Sequence, residues 1–221
     1  PELEKLLHSL LSTPVVGPPG ESRPLVLDGN GRLYLYRYWK YEQDLAGVIL
    51  TKAKMTCDRI DKKILGKGLD RLFPSVAEEG PDWQKVAVLA SLRKKFSIIS
   101  GGPGTGKTST VIKILALLLE QKNAETVRIA LAAPTGKSAM RLKESIGLMK
   151  ETLDCADSIK EHIPHEVSTI HRLLGSIRGS VRFRYSDKNP LPYDAVIIDE
   201  ASMVALPLMA KLAAALRQDA R

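Results

Sequence analysis

The stretch Gly101-Gly102-Pro103-Gly104-Thr105-Gly106-Lys107-Thr108 decides the fold class of this chain. It matches the phosphate-binding loop pattern, in which four free positions separate the first glycine from Gly-Lys-Thr. The apolar run Phe96–Ser100 precedes it and predicts a strand, and the segment from Lys107 to Gln121 predicts a helix. Backbone N–H groups of such a loop, and the positive end of the helix after it, bind phosphate oxygens. The sequence therefore predicts a nucleotide-binding α/β fold.

The residue types in this loop suit ATP and Mg²⁺. Glycines let the backbone wrap closely around phosphates, the Lys107 ammonium reaches the β- and γ-phosphates, and the Thr108 hydroxyl is a candidate Mg²⁺ ligand. The candidate ATP-binding residues of the loop are Gly101, Gly102, Pro103, Gly104, Thr105, Gly106, Lys107 and Thr108. The alternative is a glycine-rich turn that merely precedes a lysine, and the flanking strand and helix argue against it.

An acidic pair follows a second apolar run. The stretch Ala195-Val196-Ile197-Ile198 predicts a buried strand that ends at Asp199 and Glu200. Asp199 is placed to hold Mg²⁺ through water, and Glu200 to orient or deprotonate the water that attacks the γ-phosphate. The alternative is that two acidic residues simply end a strand. Together with Lys107, the pair predicts ATP hydrolysis.

The residues before the loop predict a small α+β domain over 1–75. Glu2 to Leu11 is typical of a short helix, and residues 25–36 are typical of a hairpin, because Asp28-Gly29-Asn30-Gly31 suits a tight turn. Residues 38–55 predict a helix. The run Glu78-Glu79-Gly80-Pro81 predicts the linker to the next domain.

Residues 81–221 alternate between helix and strand patterns, which predicts a parallel sheet. The expected elements are a helix from Asp82, its N-cap, a strand over 127–133, a helix from about Gly136 and the acidic-ended strand. In the first of these helices four apolar residues share one face: Trp83, Val86, Ala87 and Ala90.

Composition limits the classes of partner. The 221 residues are 44% hydrophobic with a net charge of +8, and residues 81–221 hold 21 basic against 14 acidic side chains. This surface suits a polyanion, although a solvated basic face is the alternative.

Cys57 and Cys155 belong to no metal-ligand cluster. No apolar run approaches the roughly 20 residues that span a bilayer, so we expect no membrane association and a cytoplasmic location.

Several segments resemble superfamily 1 DNA helicases, and most closely the RecD (exodeoxyribonuclease V alpha chain) type. Gln84 in Asp82-Trp83-Gln84 resembles the Q motif, whose amide reads adenine. Ala133-Pro134-Thr135-Gly136-Lys137-Ser138-Ala139 is similar to motif Ia, and Ser168-Thr169-Ile170-His171-Arg172 to motif Ib. Asp199-Glu200-Ala201-Ser202 resembles motif II.

The resemblance implies a RecA-like motor domain that moves 5′ to 3′ on single-stranded DNA in double-strand break repair. It implies RecB-like and RecC-like partner subunits, with residues 1–75 docking on the RecB-like one and Tyr36, Tyr38 and Trp39 as candidate anchors. It also implies further motifs in a second motor domain, so we expect this sequence to be a piece of a longer protein. By itself, this piece should hydrolyse ATP only very slowly.

Motifs Ia and Ib touch the DNA strand in this family, which makes Thr135, Gly136, Thr169 and His171 candidate DNA-binding residues. The residues alone leave alternatives open. Thr135 is also a suitable helix N-cap, and a lone histidine is more often structural than a ligand. The basic stretch that follows interleaves arginines with Phe183 and Tyr185, which suits either strand binding or a solvated β-ribbon.

Two other functions fit parts of the pattern. A stand-alone RecD-like helicase shares the same motifs. A nucleotide-dependent scaffold would need the loop but not the water-activating carboxylate of Glu200, so the intact acidic pair argues against it.

Overall fold

The computed structural model describes residues 2–57, 60–74, 80–102, 104–121 and 126–221. Two three-stranded sheets organise them, one in the first 35 residues and one after the glycine-rich loop. Glu78 and Glu79 of the predicted linker lie outside the described residues, as do residues 75–77 and Pro103.

The N-terminal part contains the predicted helix and hairpin. Helix α1 spans Glu2–Leu11, and strands β2 (Leu25–Leu27) and β3 (Leu33–Leu35) pair antiparallel. Asp28 organises the turn, because its Oδ1 accepts hydrogen bonds from the N–H groups of Asn30 and Arg32. Strand β1, Val16–Gly17, pairs parallel with β2 and was not predicted.

Two helices connect this sheet to the glycine-rich loop. Helix α2 spans Tyr36–Lys54, close to the predicted 38–55. Helix α3, Lys62–Leu72, was not predicted, although Asp61 caps it by accepting from the N–H groups of Lys63 and Ile64.

The remaining elements form a layered α/β arrangement. The helices are α4 (Trp83–Arg93), α5 (Lys107–Gln121), α6 (Gly136–Thr152), α7 (Asp157–His162), α8 (Ile170–Leu174) and α9 (Leu206–Ala214). The strands β4 (Ile129–Ala133), β5 (Val167–Thr169) and β6 (Ala195–Ile198) lie in the order β5-β4-β6, all parallel. Helix α5 is buried between α4, α6 and the sheet residues, with Leu115, Leu117 and Leu119 fully enclosed. The parallel sheet, the α4 N-cap Asp82 and the starts of α5 and α6 confirm the sequence prediction.

The predicted strand Phe96–Ser100 is wrong as an assignment. These residues have an irregular conformation and pair with no described strand, and Ile98 is 78% exposed. The backbone of Arg221 pairs with the free edge of β6 instead. The Val196 N–H donates to the Arg221 carbonyl at 2.8 Å, and the Arg221 N–H donates to the Asp194 carbonyl at 3.0 Å. An apolar run becomes a strand only when a partner supplies the ladder hydrogen bonds.

The apolar face predicted for α4 is not the face that the structure buries. Trp83 is 73% exposed and Val86 is exposed, whereas Val88 and Leu92 enter the core on another face. Helical periodicity shows that a face exists, but contacts with α5 decide which face is covered.

The helices before the proposed linker pack against the residues after it. Helix α2 lies along α9, and α3 contacts α5. The Lys52 ammonium of α2 is buried and donates to the carbonyls of Arg217 (2.9 Å), Gln218 (3.2 Å) and Ala220 (2.8 Å). The domain boundary at residues 75–81 stays a prediction. The contacts just described connect residues before this boundary with residues after it.

Candidate functional site

The glycine-rich loop has the backbone conformation that its glycines permit. Gly104 and Gly106 have φ values of 75° and 76°, in the left-handed region that side chains with a Cβ rarely adopt. The loop ends directly at α5, so the first N–H groups of this 15-residue helix point out of its N-terminus. The arrangement provides backbone donors and a partial positive charge for an anion.

The Lys107 ammonium lies over the loop. It donates to the carbonyls of Gly101 at 2.8 Å and Gly102 at 2.7 Å. An ammonium has three donors, so two are used by the loop itself. A phosphate group that enters the loop would take over these donors from the carbonyl oxygens.

Gln84 reaches the loop from the first turn of α4. Its side-chain Nε2 donates to the Thr105 carbonyl at 3.1 Å. A Cβ at Gly106 would lie 2.5 Å from the same Nε2, so the amide packs directly on the loop backbone. The structure thus brings Gln84 to the phosphate loop, while its reading of adenine stays a prediction.

The acidic pair stands at the carboxyl end of β6. Asp199 N–H donates to the Ala132 carbonyl at 3.0 Å and continues the ladder with β4. Glu200 then turns the chain with φ 49° and ψ 41°, and it is the one non-glycine residue with positive φ among the described residues. Its N–H donates to Asp199 Oδ1 at 2.9 Å, so one carboxylate stabilises the turn that carries the other.

A residue that the sequence analysis did not select contacts Glu200. Ser138 lies in the first turn of α6 and is buried, and its Oγ donates to Glu200 Oε2 at 3.0 Å. The spacing of Thr135 and Ser138, an N-cap and the third residue of its helix, was a signal that the two hydroxyls meet.

The structure assigns Thr135 and Thr169 a capping role. Thr135 Oγ1 accepts from Ser138 N–H at 3.1 Å at the start of α6, and Thr169 Oγ1 accepts from Arg172 N–H at 3.2 Å at the start of α8. Because β4 and β5 are parallel neighbours, both caps lie at one edge of the sheet. Thr135 and Gly136 are exposed there.

His171 and the basic stretch form a neighbouring surface. The exposed His171 ring lies 5.9 Å from the Phe183 ring. The stretch folds back on itself through the Ser176–Phe183 bridge and is fastened to α9, because Lys211 Nζ donates to the Val181 carbonyl at 2.8 Å. Its exposed arginines are Arg178, Arg182 and Arg184, and none forms an ion pair with a described carboxylate.

The candidate residues therefore follow the strand order along one edge of the sheet. Thr169 and His171 follow β5, Thr135 and Ser138 follow the central β4, and the acidic pair follows β6. Carboxyl ends of parallel strands are where α/β proteins place ligands. In the part of the chain that the structure describes, no group of three or more His, Cys, Asp and Glu side chains could hold a metal ion, and no helix is both long and apolar enough to cross a membrane.

Comparison with known proteins places these motifs in a family. The chain is 42% identical over 201 residues to the RecBCD enzyme subunit RecD of Haemophilus influenzae, covering 86% of this chain and 30% of that protein. It is 38% identical to the RecD subunit of Mycolicibacterium smegmatis over 100% of this chain and 38% of that protein. The ATP-dependent RecD2 DNA helicase of Deinococcus radiodurans is 37% identical over 87% of this chain and 23% of its own length.

The chain thus spans roughly a third of the length of the RecD subunits it matches. Residues 84–221 match the family model described as an AAA domain, a segment that begins at the loop-contacting Gln84 and includes the acidic pair. With the glycine-rich loop running into α5 and Asp199–Glu200 at the end of a parallel strand, the chain belongs to the AAA domain family of P-loop NTPases.

Proposed function

We propose that this chain carries the ATP-binding part of an ATP-dependent 5′→3′ DNA helicase subunit of the RecBCD type. The observation that carries the proposal is the joint presence of the phosphate loop around Lys107 and of Glu200, a carboxylate held in a left-handed turn at the sheet edge. A protein that only bound nucleotide would have no use for that carboxylate. The similarity to the ATP-dependent RecD2 DNA helicase supports the helicase class, and the similarity to RecD subunits supports the RecBCD type.

ATP and Mg²⁺ belong to this proposal. Of the described residues, none contacts the Thr108 hydroxyl or Asp199 Oδ2 through a hydrogen bond, so both hard oxygen ligands are available to the metal. Thr108 and Asp199 would hold Mg²⁺, and the ion would supply positive charge against the negative charge that develops on the phosphate oxygens. Lys107 would bind the terminal phosphates, and Glu200 would orient the attacking water.

Single-stranded DNA is the proposed polyanion. The proposed contacts at the sheet edge are Thr135, Gly136, Thr169 and His171, and the exposed Arg178, Arg182 and Arg184 extend that surface. A RecB-like and a RecC-like subunit are the proposed protein partners. In the N-terminal part, Tyr38 is exposed, and Tyr36 and Trp39 are half-buried with ring centroids 6.2 Å apart, which suits aromatic anchors.

A cytoplasmic location follows from the same proposal, because a bacterial DNA-repair complex works where the chromosome lies.

A stand-alone helicase is the second candidate, because the RecD2 helicase matches 87% of this chain. Copurification of the full-length protein with RecB-like and RecC-like subunits separates the two. The subunit form is recovered in a complex, and the stand-alone form by itself.

The catalytic assignment is tested by two substitutions in the full-length protein. Lys107→Ala should remove ATP affinity, whereas Glu200→Gln should keep ATP bound but lower the DNA-stimulated turnover by about 10²–10⁴, the usual contribution of general base catalysis. Equilibrium binding of a fluorescent ATP analogue and phosphate release measure the two effects. Glu42→Gln on α2 makes the same change on an exposed residue and should be neutral. Parental turnover by Glu200→Gln would contradict the role of that carboxylate.

A further inference from the structure

Lys113 of α5 faces the end of α3 and the start of α4 at the same time. Its half-buried ammonium lies 3.9 Å from the centroid of the Phe73 ring, in the geometry of a cation–π contact. Burial lowers the pKa of Lys113 below its ordinary value of 10.5, and the negative charge of Asp82 opposes that shift. One cation therefore contacts the residue that follows α3 and attracts the residue that precedes α4.

The end of α3 that supplies the ring is itself fixed in place. Phe73 is 6% exposed, and Gly68 lets α3 approach α5 closely, because a Cβ at Gly68 would collide with Leu117. Two ion pairs join α3 to its neighbours, one to α5 and one to α4: Arg71–Glu120 and Asp70–Lys85. The Phe73 ring is thus a fixed support for the ammonium above it.

Asp82 connects this cation to Gln84. The Asp82 Oδ1 caps α4 by accepting from the Gln84 N–H at 2.9 Å and from the Lys85 N–H at 3.1 Å. The Gln84 side chain donates in turn to the Thr105 carbonyl of the phosphate loop. A shift of the Asp82 cap would therefore move the Gln84 amide relative to the loop.

We propose that Lys113 is a positioning residue for the adenine end of the nucleotide site, holding Gln84 in place through Phe73 and Asp82. This inference rests on the proposed function and on the predicted reading of adenine by Gln84. The ammonium is held on the Phe73 ring and attracts Asp82, so the first turn of α4 stays against α5. The end of α3, on the other side of the predicted domain boundary, thereby takes part in nucleotide recognition.

Competition of ATP and of GTP against a fluorescent ATP analogue on the full-length protein tests this role. Lys113→Met keeps the apolar stem without the charge, and it should lower the ATP affinity about 3–5-fold, the effect of losing one cation–π contact. The GTP affinity should not change, so the preference for ATP falls by the same factor. KM for ATP should rise accordingly, while kcat stays within about 2-fold, because the lost interaction is one of binding.

Two further lysine variants separate positioning from a general loss of charge. Lys113→Arg keeps a cation over the ring and should retain the preference for ATP. Lys67→Met is the matched control, because it removes the same charge from an exposed position of α3 and should leave both affinities unchanged.

Phe73→Leu tests the other side of the same contact and serves should Lys113→Met fold poorly. It removes the aromatic face but keeps an apolar side chain, and it should lower the preference for ATP as Lys113→Met does. The double variant should lose no more than either single variant, because both substitutions remove one contact.

A second measurement needs no nucleotide. Hydrogen exchange at the amides of Gln84 and Lys85 reports on the Asp82 cap. Lys113→Met should accelerate this exchange, and Lys67→Met should not.

Equal losses of ATP and GTP affinity in Lys113→Met, or unaltered exchange at the Asp82 cap, would overturn the positioning role. Gln84→Ala with an undiminished preference for ATP would instead overturn the predicted reading of adenine. The exchange measurement would still decide whether Lys113 holds the start of α4.

Discussion

Gly106 shows how a single position can be constrained twice. Its φ of 76° lies in the left-handed region, and a Cβ there would meet the Gln84 amide at 2.5 Å. The first constraint is a property of the residue's own backbone. The second depends on a side chain 22 positions earlier, and both act on the loop that ends at Lys107.

Gly106→Ala should therefore destabilise this chain and weaken nucleotide binding. The left-handed conformation costs about 1–2 kcal/mol for a residue with a Cβ, and displacement of Gln84 adds to that cost. Gly47→Ala is the control, because Gly47 lies in α2 with open space around it, and it should stabilise by about 0.5–1 kcal/mol. Urea unfolding and nucleotide titration measure both variants, and equal effects of the two would contradict the constraint.

At the scale of elements, the contact between α2 and α9 ties the N-terminal helices to the nucleotide-binding part. Lys52 makes the polar portion of this contact, with one ammonium serving the carbonyls of Arg217, Gln218 and Ala220. Burial lowers the pKa of Lys52 below its ordinary value of 10.5. The three carbonyls just after α9 balance this cost of burying the charge.

Lys52→Met should lower the free energy of unfolding by about 1–3 kcal/mol, because it keeps the apolar stem but leaves the carbonyl of the buried Ala220 without a donor. Lys54→Met, one position further along but exposed, should change it by less than about 0.5 kcal/mol. Chemical denaturation of both variants measures the difference. A small loss in Lys52→Met would show that apolar packing alone holds α2 on α9.

At the scale of the whole molecule, charge is distributed unevenly. The basic excess lies in residues 81–221. The arginines of the folded-back stretch are exposed, and no carboxylate in the described part of the chain forms an ion pair with them. A surface of this kind binds a polyanion by releasing its counterions, so the affinity depends on salt.

Replacing Arg178, Arg182 and Arg184 together by Gln should weaken single-strand binding for all sequences alike. Each lost phosphate contact should reduce the slope of log K against log salt by about 0.7, and the triple variant by about 2. The matched control replaces Lys62, Lys63 and Lys67 of α3, which removes equal charge from another exposed surface. Titrations of the full-length protein over a salt series compare them, and an unaltered slope in the arginine variant would show that these residues face only solvent.

Local interactions let the sequence by itself determine much of this protein. The glycine-rich loop, the start of α5 at Lys107, and the caps Asp82 and Thr135 were predictable, because each depends on residues within a few positions of one another. The β2–β3 hairpin was predictable for the same reason. The chemistry proposed for the phosphate loop and the acidic pair was likewise predicted from residue type and spacing, and it stays a prediction.

Only the tertiary structure decided which surfaces and side chains meet. It left Phe96–Ser100 without a strand partner, buried Val88 instead of Val86, and brought Ser138 to Glu200 and Lys52 to the end of α9. The physical reason is that strand pairing, burial and buried hydrogen bonds depend on residues far apart in the sequence. Periodicity and capping carry no information about these partners until the chain is folded.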